Sequence, residues 1–585
     1  MATEPTWRAK GEAKRQSILN TIPEKWIITS PIPSAAEQQD VTGAYIQQFL
    51  NRREIEITES DAVDIVAQTT SGGWTALEVT EAFCHRAALA HQLVNCLHEI
   101  FFEAAIEDAK RLDAYFAEHK EPIGPLHGLP VSLKDQFHVK GVETTMGYVG
   151  WINTFQGLPD DPRRGVEESE LVRELRNLGA VLYCKTSVPA TLMSGETINN
   201  IIGYTWNPKN RNLSSGGSSG GEGALIALRG SPGGFGTDIG GSIRVPAGFN
   251  NLYGLRPSAG RMPYQGAANS MDGQNIVLSV IGPLAPTART LTLLFKSILS
   301  QQPWNHDPLA LELPWRESIV QETLSSIEKS KAGASSLAFA IMPFDGVGRI
   351  HPPIARGLKL VEKTLERLGH RVIHWSPPSH APAHALASKA YHLDGGTDLN
   401  HHFGLSGEVQ APQVIVSQGG TEMIASQIAA LNVSSREYKK QYMDYWNSTA
   451  ELTGTGRPVD GLICPLASHA AVIPTQYEHV GYTTFVNVLD YTSISIPVTF
   501  ADKAVDKLPT GTSLAEAEPH IEWDCECFLF IPICKCSANS KADDADSYDG
   551  APVGVQLVGR RLQEEKMLTL AQYIGEEIAK DAGRE

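Results

Sequence analysis

The stretch RNLSSGGSSGGEGALIALRGSPGGFGTDIGGSIRVP, residues 211–246, carries eleven glycines between Gly216 and Gly241, interleaved with serines. Glycine in regular secondary structure costs about 0.5–1 kcal/mol per residue relative to alanine. We therefore expect the backbone here to approach another chain segment or a ligand more closely than side chains would allow. A plain flexible loop is the alternative interpretation.

The segments on either side of this stretch alternate between helix and strand. Residues 75–97 predict an amphipathic helix, with Thr75 as its N-cap and Glu78 completing a capping box. A helix, a glycine and a strand follow one another at 168–184 and again at 352–375. Repeated units of this kind predict one α/β domain with a mixed central β-sheet covered by helices on both faces. Buried strands are predicted within 131–133, 180–184, 252–263, 335–347, 460–468 and 550–560.

The composition excludes several classes of protein. A net charge of −17 argues against a nucleic-acid partner, which needs basic patches. The N-terminus has no apolar run of signal-peptide length, and no stretch of about eighteen apolar residues occurs, so we expect no membrane partner and a cytoplasmic location. Hydrophobic residues make up 42% of the chain and charged residues 20%, as in ordinary globular proteins.

Generic motifs do not identify the function of the glycine-rich stretch. The chain has no Gly-Lys pair, which excludes a P-loop, and GFGTDIGG has the wrong spacing for a dinucleotide fingerprint. The pattern G-x-S-x-G matches at Ser218 and at Ser219, but such a match is weak in a stretch so rich in glycine and serine. Nothing in the sequence identifies one of the eighteen histidines as the partner of a serine nucleophile.

The second half of the stretch, GTDIGGSIRVP, is more informative. Ser242 follows Ile239, Gly240 and Gly241, so backbone N–H groups can crowd around its hydroxyl as in an oxyanion hole. A serine nucleophile also needs a base, and the candidate is Lys134 in GLPVSLKD. Lysine would have to lose about three pKa units, roughly 4 kcal/mol, which burial can supply. An exposed surface lysine is the alternative interpretation.

Together, GLPVSLKD, GGSSGGEGALIA and GTDIGGSIRVPA resemble the amidase signature family of serine hydrolases. The three motifs occur in the family's order, and Ser218 and Ser242 stand 24 residues apart, as they do in that family. In detail the chain is most similar to the fungal acetamidase and general amidase branch. The resemblance covers residues 75–575.

The resemblance implies a role for each residue of a triad. Ser242 would be the acyl nucleophile, Ser218 would shuttle protons after a cis peptide with Gly217, and Lys134 would be the base. No metal or other cofactor is implied.

The resemblance also implies the surroundings of the triad. The N–H groups of Ile239, Gly240, Gly241 and Ser242 would form the oxyanion hole, and the backbone carbonyl of Leu192 would lie near the substrate amide. The supporting residues Asp238 and Arg244 would brace the loop, although an ordinary ion pair would look the same in sequence. The pocket would be lined by segments between the motifs, such as 391–403.

The implied activity is hydrolysis of a small carboxylic acid amide to the acid and ammonia through an acyl-enzyme. The partner would be a small-molecule amide, short aliphatic or small aryl rather than a long lipid amide, and a homodimer is plausible for the family. One alternative is an amidotransferase subunit that passes ammonia to aminoacyl-tRNA. Another is a catalytically impaired product of an erroneous gene model.

The resemblance sets the expected domain boundaries. Residues 1–74 form a helical N-terminal lead-in, residues 75–575 the amidase signature domain with core motifs in 124–262, and residues 576–585 a C-terminal tail.

A cysteine-rich segment, CECFLFIPICKC at 525–536, departs from the family pattern and predicts an insertion at about 525–549. Its C-x-C pairs leave zinc as an alternative, although zinc sites usually show C-x₂₋₄-C spacing. A retained intron is a further hypothesis, tested by sequencing the transcript across this segment.

Overall fold

The computed structural model describes residues 6–334, 336–415, 419–507 and 545–582. Its strands are β1 (Leu97–Ile100), β2 (Pro130–Lys134), β3 (Val181–Thr186), β4 (Ile198–Asn199), β5 (Gly203–Tyr204), β6 (Gly234–Asp238), β7 (Tyr253–Arg256), β8 (Val280–Ala285), β9 (Ala338–Ile341), β10 (Arg371–His374), β11 (Gly461–Pro465), β12 (Ser493–Phe500) and β13 (Pro552–Val558).

The α-helices are α1 (Trp7–Leu19), α2 (Ala44–Gln47), α3 (Arg52–Glu59), α4 (Ala62–Ser71), α5 (Ala76–Val94), α6 (Phe102–His119), α7 (Glu170–Asn177), α8 (Gly220–Ala227), α9 (Arg244–Phe249), α10 (Ala288–Leu299), α11 (Glu317–Lys331), α12 (Pro352–Arg367), α13 (Ala381–Ala390), α14 (Thr397–Gly404), α15 (Ala425–Ser448), α16 (Gly481–Leu489), α17 (Ala545–Tyr548) and α18 (Glu564–Asp581). Short 3₁₀ turns are Glu24–Trp26, Val149–Trp151, Pro303–Asn305 and Thr449–Glu451.

The main sheet contains eleven of these strands in the order β1-β3-β2-β6-β8-β7-β12-β13-β11-β9-β10. Pairing is parallel between β3 and β2, β2 and β6, β11 and β9, and β9 and β10. The other pairs are antiparallel, and β12 with β13 is the longest of them. The prediction of a mixed central sheet is confirmed.

Helices bury both faces of the sheet, because alternate strand residues point to opposite sides. Phe339 and Ile463 join the hydrophobic cluster that includes α10, α12 and α18. Their neighbours Leu462 and Cys464 join a different cluster with α13, α15 and α16. The expectation of helices on both faces is therefore also confirmed.

Helix α5 begins as the sequence predicts but ends earlier. The Thr75 hydroxyl accepts a hydrogen bond from the Glu78 N–H at 3.0 Å, which is the expected N-cap. The Glu78 carboxylate does not complete the capping box, because it pairs with Arg53 of α3 instead. Asn95 adopts a left-handed conformation that ends the helix, and Leu97 then begins β1.

Segments near both ends of the chain are buried in the core of the domain. Ile18 and Trp26 of the lead-in are buried in one hydrophobic cluster with Val181 of β3, so the N-terminal helices share the core of the sheet. At the other end, α18 continues through the boundary expected after residue 575, and Ile578 is fully buried. The expected tail is thus largely the last turns of a core helix.

The expected insertion lies mostly outside the described residues, and with it the cysteine-rich run and the zinc alternative. Its last residues, 545–549, are described: they contain α17, and the Tyr548 side chain is buried against the ring of His351.

Candidate active site

Lys134 is the last residue of β2, and its side chain is completely buried. The alternative of an exposed surface lysine is therefore wrong. Its Nζ donates to Ser218 Oγ at 2.7 Å and to Thr237 Oγ1 at 2.7 Å. The Thr237 hydroxyl in turn donates to Gln136 Oε1 at 2.8 Å, so the ammonium end is held by a chain of polar groups.

The protonation state of Lys134 follows from its burial. Removal from water lowers the pKa of Lys134 from 10.5 to about 7, although the negative charges of Asp238 and Glu222 oppose that change. At neutral pH a large fraction of Lys134 is therefore uncharged and able to accept a proton.

Ser218 is buried and follows the expected cis peptide bond with Gly217. A side chain at Gly217 would meet the Ser194 carbonyl oxygen at 2.6 Å and the Glu196 nitrogen at 2.8 Å. Only glycine fits this approach, which answers why the stretch needs glycine at this point.

Ser242 lies in the turn between β6 and α9 and lines an open cavity, whose volume with the solvent space at its mouth is about 670 Å³. Its backbone carbonyl accepts a hydrogen bond from the Ser219 N–H at 3.2 Å, so the two glycine-rich segments are joined next to the triad residues. In the described part of the structure, the hydroxyls of Ser218 and Ser242 do not form a hydrogen bond with each other.

The amides of the turn differ in whether they are free. The Gly241 N–H donates to Asp238 Oδ1 at 2.8 Å and is already engaged. The N–H groups of Ile239, Gly240 and Ser242 have no hydrogen-bond partner among the described residues. The expected four donors are therefore reduced to three free ones beside the cavity.

Asp238 and Arg244 form a fully buried ion pair across the turn, with Nε to Oδ2 at 3.0 Å. The Asp238 carboxylate also accepts from the Ile243 N–H and from Asn487 Nδ2. Burial alone would raise the pKa of Asp238, but the charge and hydrogen bonds of Arg244, with the Asn487 amide and the charge of Arg256, hold it well below its usual range. The pair thus ties the end of β6 to the start of α9.

Leu192 lines the same cavity, and it adopts a left-handed backbone with φ of +64°. Tyr391 and His392 from the segment 391–403 also line it; the rest of that segment does not. Other lining residues lie outside every motif in the sequence, and among them are His384, Ile415, Tyr477, Val480 and Thr484.

Sequence reasoning missed several polar residues that hold the site. Thr237 directly precedes Asp238, and Gln136 follows Lys134 by two positions, so their closeness to the motifs was the available signal. Tyr391 and Thr483 bind the carbonyls of the turn from distant helices, and no local pattern marks them.

Similarity to known proteins extends over almost the whole chain. The family model named Amidase matches residues 78–568. An acetamidase of Aspergillus oryzae is 45% identical over 97% of this chain and 98% of its own, and an acetamidase of Emericella nidulans is 42% identical over the same shares. The solved structure of a fatty acid amide hydrolase, 32% identical, superposes with a TM-score of 0.84 over 98% of this chain and 95% of that one.

The chain belongs to the Amidase family, and the resemblance stated from its motifs is confirmed. It is a hydrolase that acts on amide carbon–nitrogen bonds. Within the described ranges, every helix is too short or too polar to span a lipid bilayer.

Proposed function

We propose that the protein hydrolyses small carboxylic acid amides to the acid and ammonia, with Ser242 as nucleophile, Ser218 as proton shuttle and Lys134 as base. The observation that carries the proposal is the buried hydrogen bond of 2.7 Å from Lys134 Nζ to Ser218 Oγ, located next to a serine that lines a cavity.

Acylation begins with proton transfer. Neutral Lys134 takes the Ser218 proton while Ser218 takes the proton of Ser242, and the Ser242 oxygen attacks the amide carbonyl carbon. The carbonyl oxygen becomes an oxyanion, which the free N–H groups of Ile239, Gly240 and Ser242 stabilise. Gly241 supports this site indirectly, since its own N–H is bound to Asp238.

Collapse of the tetrahedral intermediate reverses the relay. Charged Lys134 returns its proton through Ser218 to the amide nitrogen, which leaves as ammonia, and the acyl group remains on Ser242. Water then attacks the ester with the same residues as base and acid, and the carboxylic acid departs. The Leu192 backbone carbonyl, at the cavity wall, would accept a hydrogen bond from the substrate NH₂ group.

The relatives support the proposal that the substrate is a small amide: two of them are named acetamidases and are more than 40% identical over almost the whole chain. The likeness to a fatty acid amide hydrolase favours longer acyl chains as a second candidate. A panel of amides of increasing acyl length separates the two.

The test is ammonia release from acetamide, butyramide, benzamide, phenylacetamide, indole-3-acetamide and oleamide. We expect turnover of the small amides, and a loss of about 10⁴-fold or more in Ser242→Ala, because the nucleophile is removed. Ser215→Ala is the control: among the described residues, the hydroxyl of this buried serine of the same stretch bonds only the Thr205 carbonyl, and we expect activity close to wild type.

Persistent activity in Ser242→Ala would contradict the assignment of the nucleophile. Turnover of oleamide alone would replace the small-amide class by the lipid class. Glutamine hydrolysis that requires added partner subunits would favour the amidotransferase alternative, and no turnover at all would favour an impaired gene product.

A further inference from the structure

The turn beside Ser242 is held in place through its carbonyl groups. The carbonyl and the N–H of one trans peptide point in opposite directions, so a group that binds the carbonyl also fixes where the N–H points. Among the described residues the Gly217–Ser218 bond is the cis peptide, so this rule applies to every peptide of the turn.

One peptide of the turn is held at both its carbonyl and its N–H. The Gly240 carbonyl accepts from Thr483 Oγ1 at 2.6 Å, while the N–H of the same peptide, on Gly241, donates to Asp238. The next carbonyl, on Gly241, accepts from the Val245 N–H at 2.8 Å as part of the start of α9. The Gly240–Gly241 peptide would therefore keep its orientation if one contact were lost, and the Gly241 carbonyl is bonded by backbone of the adjoining helix α9.

The peptide between Ile239 and Gly240 is different. Its carbonyl oxygen, on Ile239, accepts a hydrogen bond of 2.6 Å from the Tyr391 hydroxyl. Its N–H, on Gly240, is one of the free donors, so the Tyr391 bond is the one hydrogen bond that this peptide makes within the described chain. A Cβ built on Gly240 would lie 3.3 Å from the same hydroxyl, which shows how closely Tyr391 packs against this peptide.

Tyr391 is well placed to act as a fixed point. It follows the last residue of α13, a helix packed against α15 and α16 in one hydrophobic cluster. Burial raises the pKa of Tyr391, so its hydroxyl stays protonated and can donate. The ring also lines the cavity, which puts the anchor of the turn in the wall of the acyl pocket.

We propose that Tyr391 is a positioning residue for the oxyanion site: its hydrogen bond to the Ile239 carbonyl directs the Gly240 N–H toward the substrate oxygen. The inference rests on the proposed function, because it needs an oxyanion at this turn. Tyr391 itself takes no part in proton transfer.

Tyr391→Phe removes the hydroxyl and keeps the ring in the cavity wall. Loss of one oxyanion donor typically lowers kcat about 10²–10³-fold. A donor that is present but no longer fixed should lose less, so we expect kcat for phenylacetamide to fall about 10–100-fold while KM changes by less than about threefold. Ground-state binding of the phenyl group depends on the ring, which the variant retains.

The inhibition constant of an aldehyde gives a second measurement, which separates a change at the oxyanion site from a general loss of structure. Phenylacetaldehyde adds to the Ser242 oxygen, its carbonyl carbon becomes tetrahedral, and its oxygen occupies the oxyanion site. Its inhibition constant should rise in Tyr391→Phe by about the factor by which kcat/KM falls, since both report binding of the tetrahedral state.

Tyr438→Phe is the matched control. Tyr438 is a buried tyrosine of the same hydrophobic cluster, and its hydroxyl donates to the backbone carbonyl of Ser379 at 3.3 Å. The lost interaction is of the same kind, but it lies outside the cavity and the turn. We expect kcat and the aldehyde inhibition constant to stay within about twofold of wild type, and a comparable change in thermal midpoint.

Two further variants test whether the hydrogen bond from Tyr391 is the contact that orients the Ile239–Gly240 peptide. Thr483→Val should lower kcat less than Tyr391→Phe does. The Gly240–Gly241 peptide, whose carbonyl Thr483 binds, keeps the hydrogen bond from its N–H to Asp238. Gly240→Ala should cost less in the Tyr391→Phe background than alone, since the hydroxyl that crowds the new methyl group is gone.

Full activity of Tyr391→Phe, or a rise in KM alone with unchanged kcat, would overturn the inference and leave Tyr391 as a pocket residue. If Tyr391→Phe does not fold, Tyr391→Met removes the same donor and is measured in its place. Failure of the proposed function is seen separately in the wild-type protein and in Ser242→Ala: either the wild type turns over no amide, or Ser242→Ala stays active whatever Tyr391→Phe does.

Discussion

At the residue scale, the site depends on how a buried lysine is charged. Burial lowers the pKa of Lys134 to about 7 and raises the pKa of the Glu222 carboxyl to about 7, so both groups titrate in the working range of an enzyme. Glu222 accepts hydrogen bonds from the hydroxyls of Ser132 and Thr186, and its negative charge favours the ammonium form of Lys134. The two groups therefore influence each other's titration.

The pH profile of kcat/KM should report this lysine. The reaction needs neutral Lys134, so kcat/KM should rise with pH, tenfold per unit below the midpoint, and level off above an apparent pKa close to 7. Glu222→Gln removes a negative charge that raises the pKa of Lys134, so the midpoint should move to lower pH. Steady-state kinetics between about pH 5 and about pH 9 measure both. A flat profile would contradict the role of Lys134, whereas a midpoint that Glu222→Gln leaves in place would mean that the charge of Glu222 has little influence on Lys134.

The residue types of the site could be predicted from sequence because each is part of a contiguous motif. Lys134, Ser218 and Ser242 were proposed on that basis, and the low pKa that Lys134 would require agrees with its burial. The engagement of the Gly241 N–H by Asp238 could not be predicted, because it depends on the fold of the turn. The segment 391–403 was expected to line the pocket, but the hydrogen bond of Tyr391 to Ile239 could not be predicted, since the two residues lie 152 positions apart.

At the scale of elements, a buried ion pair between Asp238 and Arg244 closes the turn from β6 to α9, and residues of other elements form hydrogen bonds with Arg244. Arg244 donates to Gln556 Oε1 of β13 at 2.8 Å and to Asn487 Oδ1 of α16 at 2.7 Å, besides its two bonds to Asp238. The pair therefore connects the turn that carries Ser242 to the centre of the sheet.

Arg244→Met should be strongly destabilising, because it leaves the Asp238 carboxylate buried without its cation. Breaking a buried pair in this way costs about 3–5 kcal/mol, whereas replacing both partners is often much less costly. We expect the double variant Asp238→Asn/Arg244→Met to lose less stability than the sum of the single variants, measured by urea unfolding. Additive losses would show that the two side chains act independently.

Prediction of the elements succeeded where local sequence and tertiary packing agree. Helix α5 follows an apolar periodicity with an N-cap, and β11 is a continuous apolar run with both faces buried. Strands β8 and β12 were not predicted, because Gly282 and Pro283 in one and Pro497 in the other are typical of turns. Pairing within the sheet overrides those local preferences, and the register of β12 shifts directly after Pro497.

At the scale of the whole molecule, a series of ion pairs and a hydrogen bond joins the N-terminal lead-in to the residue that follows Lys134. Lys14 of α1 lies 2.6 Å from Glu99 of β1 and 2.7 Å from Glu143. Lys185 of β3 donates to the Glu143 carbonyl at 2.8 Å and pairs at 2.6 Å with Asp135, which directly follows Lys134. The lead-in thus contributes to the support of the active site as well as to the hydrophobic core.

Lys14→Met tests whether the lead-in is part of the cooperative fold. The substitution keeps most of the apolar length of the side chain but leaves the buried Glu99 carboxylate without its nearest cation, so we expect a loss of about 3 kcal/mol and a lower thermal midpoint. Lys10→Met on the same helix is the control, because no ion pair of the described residues involves Lys10, and a surface change of this kind stays within about 0.5 kcal/mol. Equal midpoints for the two variants would mean that α1 unfolds separately from the sheet. A lower midpoint for Lys14→Met alone would mean that the charges around β1 and β3 connect the first helix of the chain to the strand that carries Lys134.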